Sequence, residues 1–277
     1  LMLSQRSLGA AGKKALPSDD EFNRVSFLSH FDGANNGVNN VFDDGSASNH
    51  TINSEGNVTQ GSFGPFARPD GEWAVAFDVD DYLNVNDGVT FGSGDFTIEM
   101  FANFRSVAAN SILFDGRPTS TGGDYPVLIH DSAAGGLQYN VGGTAITGGT
   151  IVANTWYHIA LCRSSSSTKM FLDGTQIGST YSDSTTYVDS GRMRLGASGY
   201  SATATLQGSL SNVRVVNSAL YTGNFTAPTS PLTAVTNTKL LTCQSNRFVD
   251  NSASPLTVSL VGNPSVSAFG PFLTTSV

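Results

Sequence analysis

The chain has 277 residues, of which 13% are charged, and a net charge of −8. Ordinary soluble domains carry about a quarter charged residues; here turn formers such as the 30 glycines fill the gap, while 17 phenylalanines and 8 tyrosines exclude a disordered chain. The acidic balance excludes a nucleic-acid binder, which needs clustered cations against phosphates, and no run approaches the ~18 apolar residues that cross a membrane as a helix.

In chain order, residues 1–24 are small, polar and charged and read as an arm or linker. They hold the one basic cluster, Arg6, Lys13 and Lys14, and lack the sustained apolar core of a secretory signal. From Val25 onward, short apolar runs alternate with Gly, Asn, Asp and Ser. The stretch Phe42–Phe66, FDDGSASNHTINSEGNVTQGSFGPF, is written again 206 positions later at Phe248–Phe272, FVDNSASPLTVSLVGNPSVSAFGPF, with 12 of 25 positions identical and no gap. Such self-similarity marks a modular chain. The expectation is one complete module over residues 25–235, followed in 236–277 by the opening strands of a second. The apolar face of those strands (Leu256, Val258, Leu260) then needs a sheet edge to cover it, the chain's own or a neighbour's.

Between the two copies, strands are expected at 96–104, 111–116, 125–131, 137–142, 156–163, 169–174, 193–196 and 209–216, and again at 256–262. In FTIEMFANF, Phe96, Ile98, Met100 and Ala102 make one apolar face, with Phe101 and Phe104 adding bulk to the other. Leu172–Asp173–Gly174 reads as a hairpin, because Asp-Gly suits positive φ. VVNSALYTGNF (215–225) comes closest to a helix and reads instead as a turn-bearing segment. Runs recurring every 10 to 20 residues with turns between them point to an all-β, two-sheet antiparallel sandwich. Cys162 and Cys243 sit in apolar strand contexts and are expected as buried free thiols.

The order GDFTIEMFANF, NTWYHIALCRSSSSTKMFLDGTQIGS, MRLGAS and LQGSLSNVRVVNSALYTGNFTAPTSPL resembles the laminin-G-like branch of the concanavalin A-like lectin/glucanase superfamily. FLSHFDGANN and AFDVDDYLNVNDGVTFGSGDF look like its opening and second strands, so the resemblance covers residues 27 to 235 and implies a jelly-roll sandwich. TKLLTCQSNRFVDNSASPLTVSLVGNPSVSAFGPF is similar to linkers between tandem copies of this domain in tailed-phage virion proteins. It implies a virion structural protein, either a fibre, an appendage or a capsid decoration, made in the host cytoplasm. Such a protein would form homo-oligomers and attach to other virion proteins through residues 1–24.

Glucanases of the superfamily cut glycans with paired carboxylates. This chain has four glutamates (Glu21, Glu55, Glu72 and Glu99), and Glu99 falls at the family's strand position, where a structural role is expected. His30, His50, His130 and His158 are scattered without zinc-ligand spacing, and no G-x-S-x-G marks a nucleophilic serine. A non-enzymatic protein without a cofactor is expected. The resemblance does leave room for a structural calcium, with Asp43, Asp44, Asp78, Asp80 and Asp81 as candidates, although Ser211 and Asn212 stand where relatives often carry an acid. A carbohydrate-binding adhesin recognising host-surface glycan is the alternative function, with Tyr125 and Tyr200 as candidate ligand-binding aromatics.

Overall fold

The computed structural model describes residues 24–29, 42, 44–53, 55, 70–118, 124–201 and 203–272. The arm up to residue 23, the candidate Asp43 and most of FLSHFDGANN lie outside these. Residues 1–64 and 65–277 form two separate compact units.

The larger unit is all strand among the described residues. Its elements are β1 (Ala74–Phe77), β2 (Tyr82–Asn86), β3 (Phe96–Phe104), β4 (Ser111–Asp115), β5 (Val127–Asp131), β6 (Gly136–Asn140), β7 (Thr144–Gly148) and β8 (Trp156–Ser164). There follow β9 (Ser167–Leu172), β10 (Thr175–Ser182), β11 (Arg192–Leu195), β12 (Gly208–Val216), β13 (Thr238–Thr242), β14 (Thr257–Val261) and β15 (Ser265–Ser267). One sheet runs β10-β9-β8-β3-β12-β1-β15, with β13 added to β12, and the other runs β14-β2-β11-β4-β5-β6-β7. The strands pair antiparallel throughout both sheets, so the expected sandwich stands.

Alternate residues of both sheets meet in one core that includes Val75, Phe77, Leu83, Ile98, Met100 and Tyr139. Phe104 belongs to this core and not to the outer face of β3, because it continues the even-numbered series from Phe96. The outer face of β3 is nevertheless buried too, so all nine residues of the strand are shut off from water. Residues 217–235, which form no strand, supply part of that cover. Tyr221 and Phe225 stack at 3.7 Å between centroids and pack on Ala160, Cys162 and Phe171, and Leu232 packs with Phe101 and Leu241. Cys162 and Cys243 are free and buried as expected, and burial pushes the Cys243 thiol up to about 12.

Two tight turns follow the chemistry of primed hairpins. Asp173 and Gly174 take φ of 48° and 79° between β9 and β10. Between β8 and β9 the same conformation falls to Ser165 and Ser166, at 48° and 62°. A side chain in this left-handed region is strained.

The C-terminal copy of the repeat closes its own sandwich. Strand β13 pairs with β12 (Arg214↔Leu241), β14 with β2 (Val258↔Val85) and β15 with β1 (Val75↔Val266). Leu256 and Val258 pack against the core, while Leu260 at the sheet edge remains 46% exposed. Two of the three residues of the apolar face, Leu256 and Val258, are therefore covered within the chain, by the sandwich that β13, β14 and β15 join. A buried knuckle turns the chain from one sheet to the other: Asp250 Oδ1 accepts from the Leu241 and Ser252 N–H at 2.9 Å each. Its Oδ2 accepts from Ser252 Oγ at 2.9 Å and the Leu256 N–H at 2.8 Å.

The smaller unit builds the same knuckle from the first copy. Asp44 Oδ1 accepts from the Leu28 and Ser46 N–H, and Oδ2 from Ser46 Oγ and the His50 N–H, all at 2.9 Å. Burial works against ionisation, but these four donors outweigh it and hold the Asp44 carboxyl well below its ordinary value.

Two outcomes are expected in denaturant unfolding. Ser166→Gly should stabilise the protein by about 1 kcal/mol by relieving the strained turn. Asp250→Ala should destabilise it by about 3 kcal/mol, since it strips a charged acceptor from four donors.

Candidate functional site

The side chains with the greatest chemical potential are spent inside the sandwich. Glu99 is fully buried on the outer face of β3. Arg214, directly opposite on β12, donates to its Oε1 through Nε at 2.8 Å and Nη2 at 2.6 Å. His158 Nε2 at 3.0 Å and the Tyr221 hydroxyl at 2.9 Å bond its Oε2. Burial alone would raise the Glu99 pKa; His158 and Arg214 overcome it and hold the carboxyl below its ordinary 4.5. Every strong acceptor position of this carboxylate is occupied, so the glutamate at the family's strand position acts as a fastener.

Asp183 is similarly enclosed. Thr168 Oγ1 and the Tyr187 hydroxyl both donate to its Oδ2 at 2.6 Å, and Arg163 Nε lies 3.4 Å away. These donors overcome burial and keep the Asp183 carboxyl below its ordinary value. Burial also pushes the hydroxyls of Tyr139, Tyr187 and Tyr221 upward, so they act as neutral donors.

Among the described residues the calcium candidates each have other engagements, and Asp43 lies outside those residues. Asp81 accepts from the Asp78 N–H at 3.0 Å and the Asn263 N–H at 2.6 Å, tying the β1–β2 turn to the β14–β15 turn. Asp78 pairs with Arg105 at 2.9 Å, and Asp80 is exposed. Asp44 is lined by donors, the wrong lining for a cation. Among the described residues no group of three or more His, Cys, Asp or Glu could hold a metal ion. Ser211 and Asn212 brace the backbone instead. At the β12 bulge Asn212 takes a φ of 50°, donates to the Gly71 carbonyl at 2.7 Å and accepts from the Leu232 N–H at 3.0 Å. Ser211 Oγ donates to the Trp73 carbonyl at 2.6 Å.

Of the two aromatic candidates, Tyr125 is only 9% exposed and offers no open ring, whereas Tyr200 is 43% exposed. Tyr200 sits in the β11–β12 loop beside the end of β4. There the buried Asp115 takes the Gly199 N–H at 2.7 Å on Oδ2, and the Arg117 N–H at 2.8 Å and Nε at 2.9 Å on Oδ1. This grip lays the Arg117 guanidinium over the Tyr200 ring, 4.8 Å from its centroid. The grip engages Nε and Nη2 of Arg117, and Nη1 makes no hydrogen bond among the described residues. Gly199 is required by close approach, because a Cβ there would meet the Arg117 carbonyl at 2.5 Å. Arg194 Nη1 donates to the Ser198 carbonyl at 2.7 Å, and Ser198 N–H to the Thr203 carbonyl at 3.0 Å, so the loop is braced on both sides of the ring. Beside it, Gly116, Pro126, Val188, Arg192 and Met193 line a crevice of about 10 Å³, room for a single water molecule. That is smaller than the ~300–1,000 Å³ of an ordinary ligand pocket.

Residues 77–223, more than half of the chain, match the family described as the concanavalin A-like lectin/glucanases superfamily. The chain belongs to this superfamily. A comparison with curated protein sequences found no match. Among solved structures, this superfamily member is similar to a Bacteroides ovatus protein proposed to bind carbohydrate, at a TM-score of 0.53 and 17% identity. The alignment covers 72% of this chain, which spans 60% of the Bacteroides protein. It is also similar to domains LG4-5 of the mouse laminin alpha1 chain (TM-score 0.42, 17% identity, 56% and 46% covered). A heptameric SAP-like pentraxin from Limulus polyphemus gives a TM-score of 0.40 at 14% identity, with 56% and 80% covered. At these identities the likeness is one of fold.

Acid should unfold the protein in two stages. Burial holds the His130 imidazole below its ordinary 6.5, so the unfolded chain takes up that proton first and a small loss begins as the pH falls below 6.5. The larger loss comes as the pH falls below 4.5, because Glu99 and Asp183 titrate lower when folded than when unfolded. Thermal melts between pH 7 and 3 check both, and Glu99→Gln should cost about 3–5 kcal/mol and remove much of the second stage.

Proposed function

We propose that the chain is a carbohydrate-binding adhesin and that its sugar site lies on the rim around Tyr200. The half-exposed Tyr200 ring beside an Arg117 locked by Asp115 is the observation that carries this reading. An aromatic ring offers a flat apolar face to the C–H groups of a sugar. A fixed guanidinium with a nitrogen to spare supplies a directional donor for its hydroxyl or carboxylate oxygens. Rigid placement limits the entropy lost on binding. The crevice beside the ring has room for only one water molecule, so a sugar would rest on the open rim rather than thread through a cleft, and the carboxylates of the interior, Glu99 and Asp183, are consumed in structural bonds.

The internal repeat supports a second reading that is compatible with the first: a virion structural protein that carries this adhesin on the particle, held by residues 1–24 and by copies of itself. Antibody labelling of purified particles tests that placement, and absence from the particle would sink it.

The adhesin reading predicts binding of the purified protein to host-surface polysaccharides on a glycan array. Tyr200→Ala should weaken it roughly tenfold, the order expected for one ring contact, while leaving the melting curve unchanged. Measurement with and without EDTA shows whether calcium takes part. No binding to any surface polysaccharide, or full binding by the Tyr200 variant, would overturn the proposed site.

A further inference from the structure

The rim around Tyr200 carries more positive charge than its architecture uses. β4 and β11 pair antiparallel with Arg194 opposite Asp115, while the neighbouring Phe114 and Leu195 point into the core. Continuing that register by two residues sets Arg192 opposite Arg117, and period-2 alternation puts all four side chains on the outer face. Three guanidinium groups thus share one patch with one carboxylate, in a chain whose net charge is −8. Like charges set opposite each other in a sheet are destabilising.

The carboxylate neutralises only one of the three. Asp115 spends its oxygens on the Arg117 guanidinium and on the N–H groups of Arg117 and Gly199. Arg192 and Arg194 form no ion pair among the described residues. Asp189 shares the small crevice with Arg192, yet accepts from Thr90 Oγ1 at 2.9 Å and the Gly191 N–H at 2.7 Å. Burial first, and then the nearby Arg192, hold the Arg194 guanidinium below its ordinary value. Arg194 is committed to Asn84 Oδ1 at 3.0 Å and the Ser198 carbonyl at 2.7 Å. Arg192 uses Nη2 alone, on the Gly199 carbonyl and, at 3.4 Å, on that of Arg117. Its Nε and Nη1, and Nη1 of Arg117, make no hydrogen bond among the described residues. None of the three belongs to the buried unpartnered atoms, so they face water next to the residue that precedes Tyr200. Bracing a carbonyl takes an N–H donor but no charge. The uncompensated charges gain a partner when an anion joins the patch.

We propose that the sugar taken at this rim is acidic, its carboxylate or sulfate group held by Arg117 Nη1 and Arg192 while its ring lies against the exposed Tyr200. The proposal rests on the adhesin reading of the same rim and narrows it. Guanidinium groups are always charged and present their donors in a planar fork that fits such oxyanions, and charge-assisted hydrogen bonds are about twice as strong as neutral ones.

The test measures binding of the purified full-length protein to alginate, which carries carboxylates, and to carrageenan, which carries sulfates. Each is compared with its own neutral form, made by carboxyl reduction or desulfation. At least one charged polymer should bind roughly tenfold or more tightly than its neutral form, less so as salt is raised, and the one that binds identifies the anion. Arg192→Gln should remove most of this preference. Arg192→Lys, which keeps the charge, should retain part of it, and melting curves of both variants check that the loop still folds. Equal binding of charged and neutral forms overturns the acidic sugar and leaves the adhesin reading standing. So does silence from both charged polymers while other glycans on the array are bound, or a preference that Arg192→Gln leaves intact. An array blank for every polysaccharide sinks both readings together.

Discussion

The buried ion pair between Glu99 and Arg214 sets the terms for the rest of the molecule. Two charges withdrawn from water are costly unless every remaining donor and acceptor is matched. Here the matching groups come from separate pieces of chain: His158 from β8, Tyr221 from the segment after β12, and the Thr233 carbonyl, which accepts from Arg214 Nη1 at 2.6 Å. The pair therefore fastens the irregular segment 217–235 to the outside of the central strands. That in turn explains why β3 and β12 are buried on both faces in an antiparallel sheet, an arrangement more typical of parallel ones. A carboxylate with no free oxygen in a water-free layer is a poor proton donor to a glycosidic bond, so the residue most suggestive of hydrolysis is the one most firmly committed to structure.

Most of the strand order was legible because period-2 alternation and Asp-Gly turns are local signals. β3, β8 and β12 are long, and their runs of apolar residues fix their positions to within a residue. The strands without a clear signature have physical reasons for lacking one. β1 and β15 are four and three residues long, and β7, TAITG, is half exposed at a sheet edge with little apolar pattern. The repeat misleads for a different reason. Sequence identity shows that two segments adopt one local shape, but whether that shape begins a module or ends it depends on where its strands pair. β14 and β15 find their partners β2 and β1 far back in the chain, and no local pattern encodes that choice.

The rim site was half legible. Tyr200 stood out as an aromatic in a Gly- and Ser-rich loop, while Asp115 and Arg117 did not. Their signal was nonetheless present: in SILFDGR an acid and a base two residues apart at a strand end lie on the same side of the chain, which is the spacing a self-contained grip requires. Tyr125 carried the same surface cues as Tyr200 yet is buried just ahead of β5. Of the calcium candidates, Asp44 and Asp81 turned out to organise turns through backbone N–H groups, the commoner use of aspartate beside glycine and serine.

Closure by the C-terminal strands has a consequence for how the protein is made. β1 and β2 emerge early from the ribosome, yet their partners β15 and β14 lie beyond residue 256. Pairings of such sequence separation are the slowest to form. Throughout most of translation the nascent sandwich holds two open edges and an apolar interior, the features that invite off-pathway association. The sandwich thus stays open until its last strands are made, and a frameshift just before β13 would leave its β2 edge permanently unpaired.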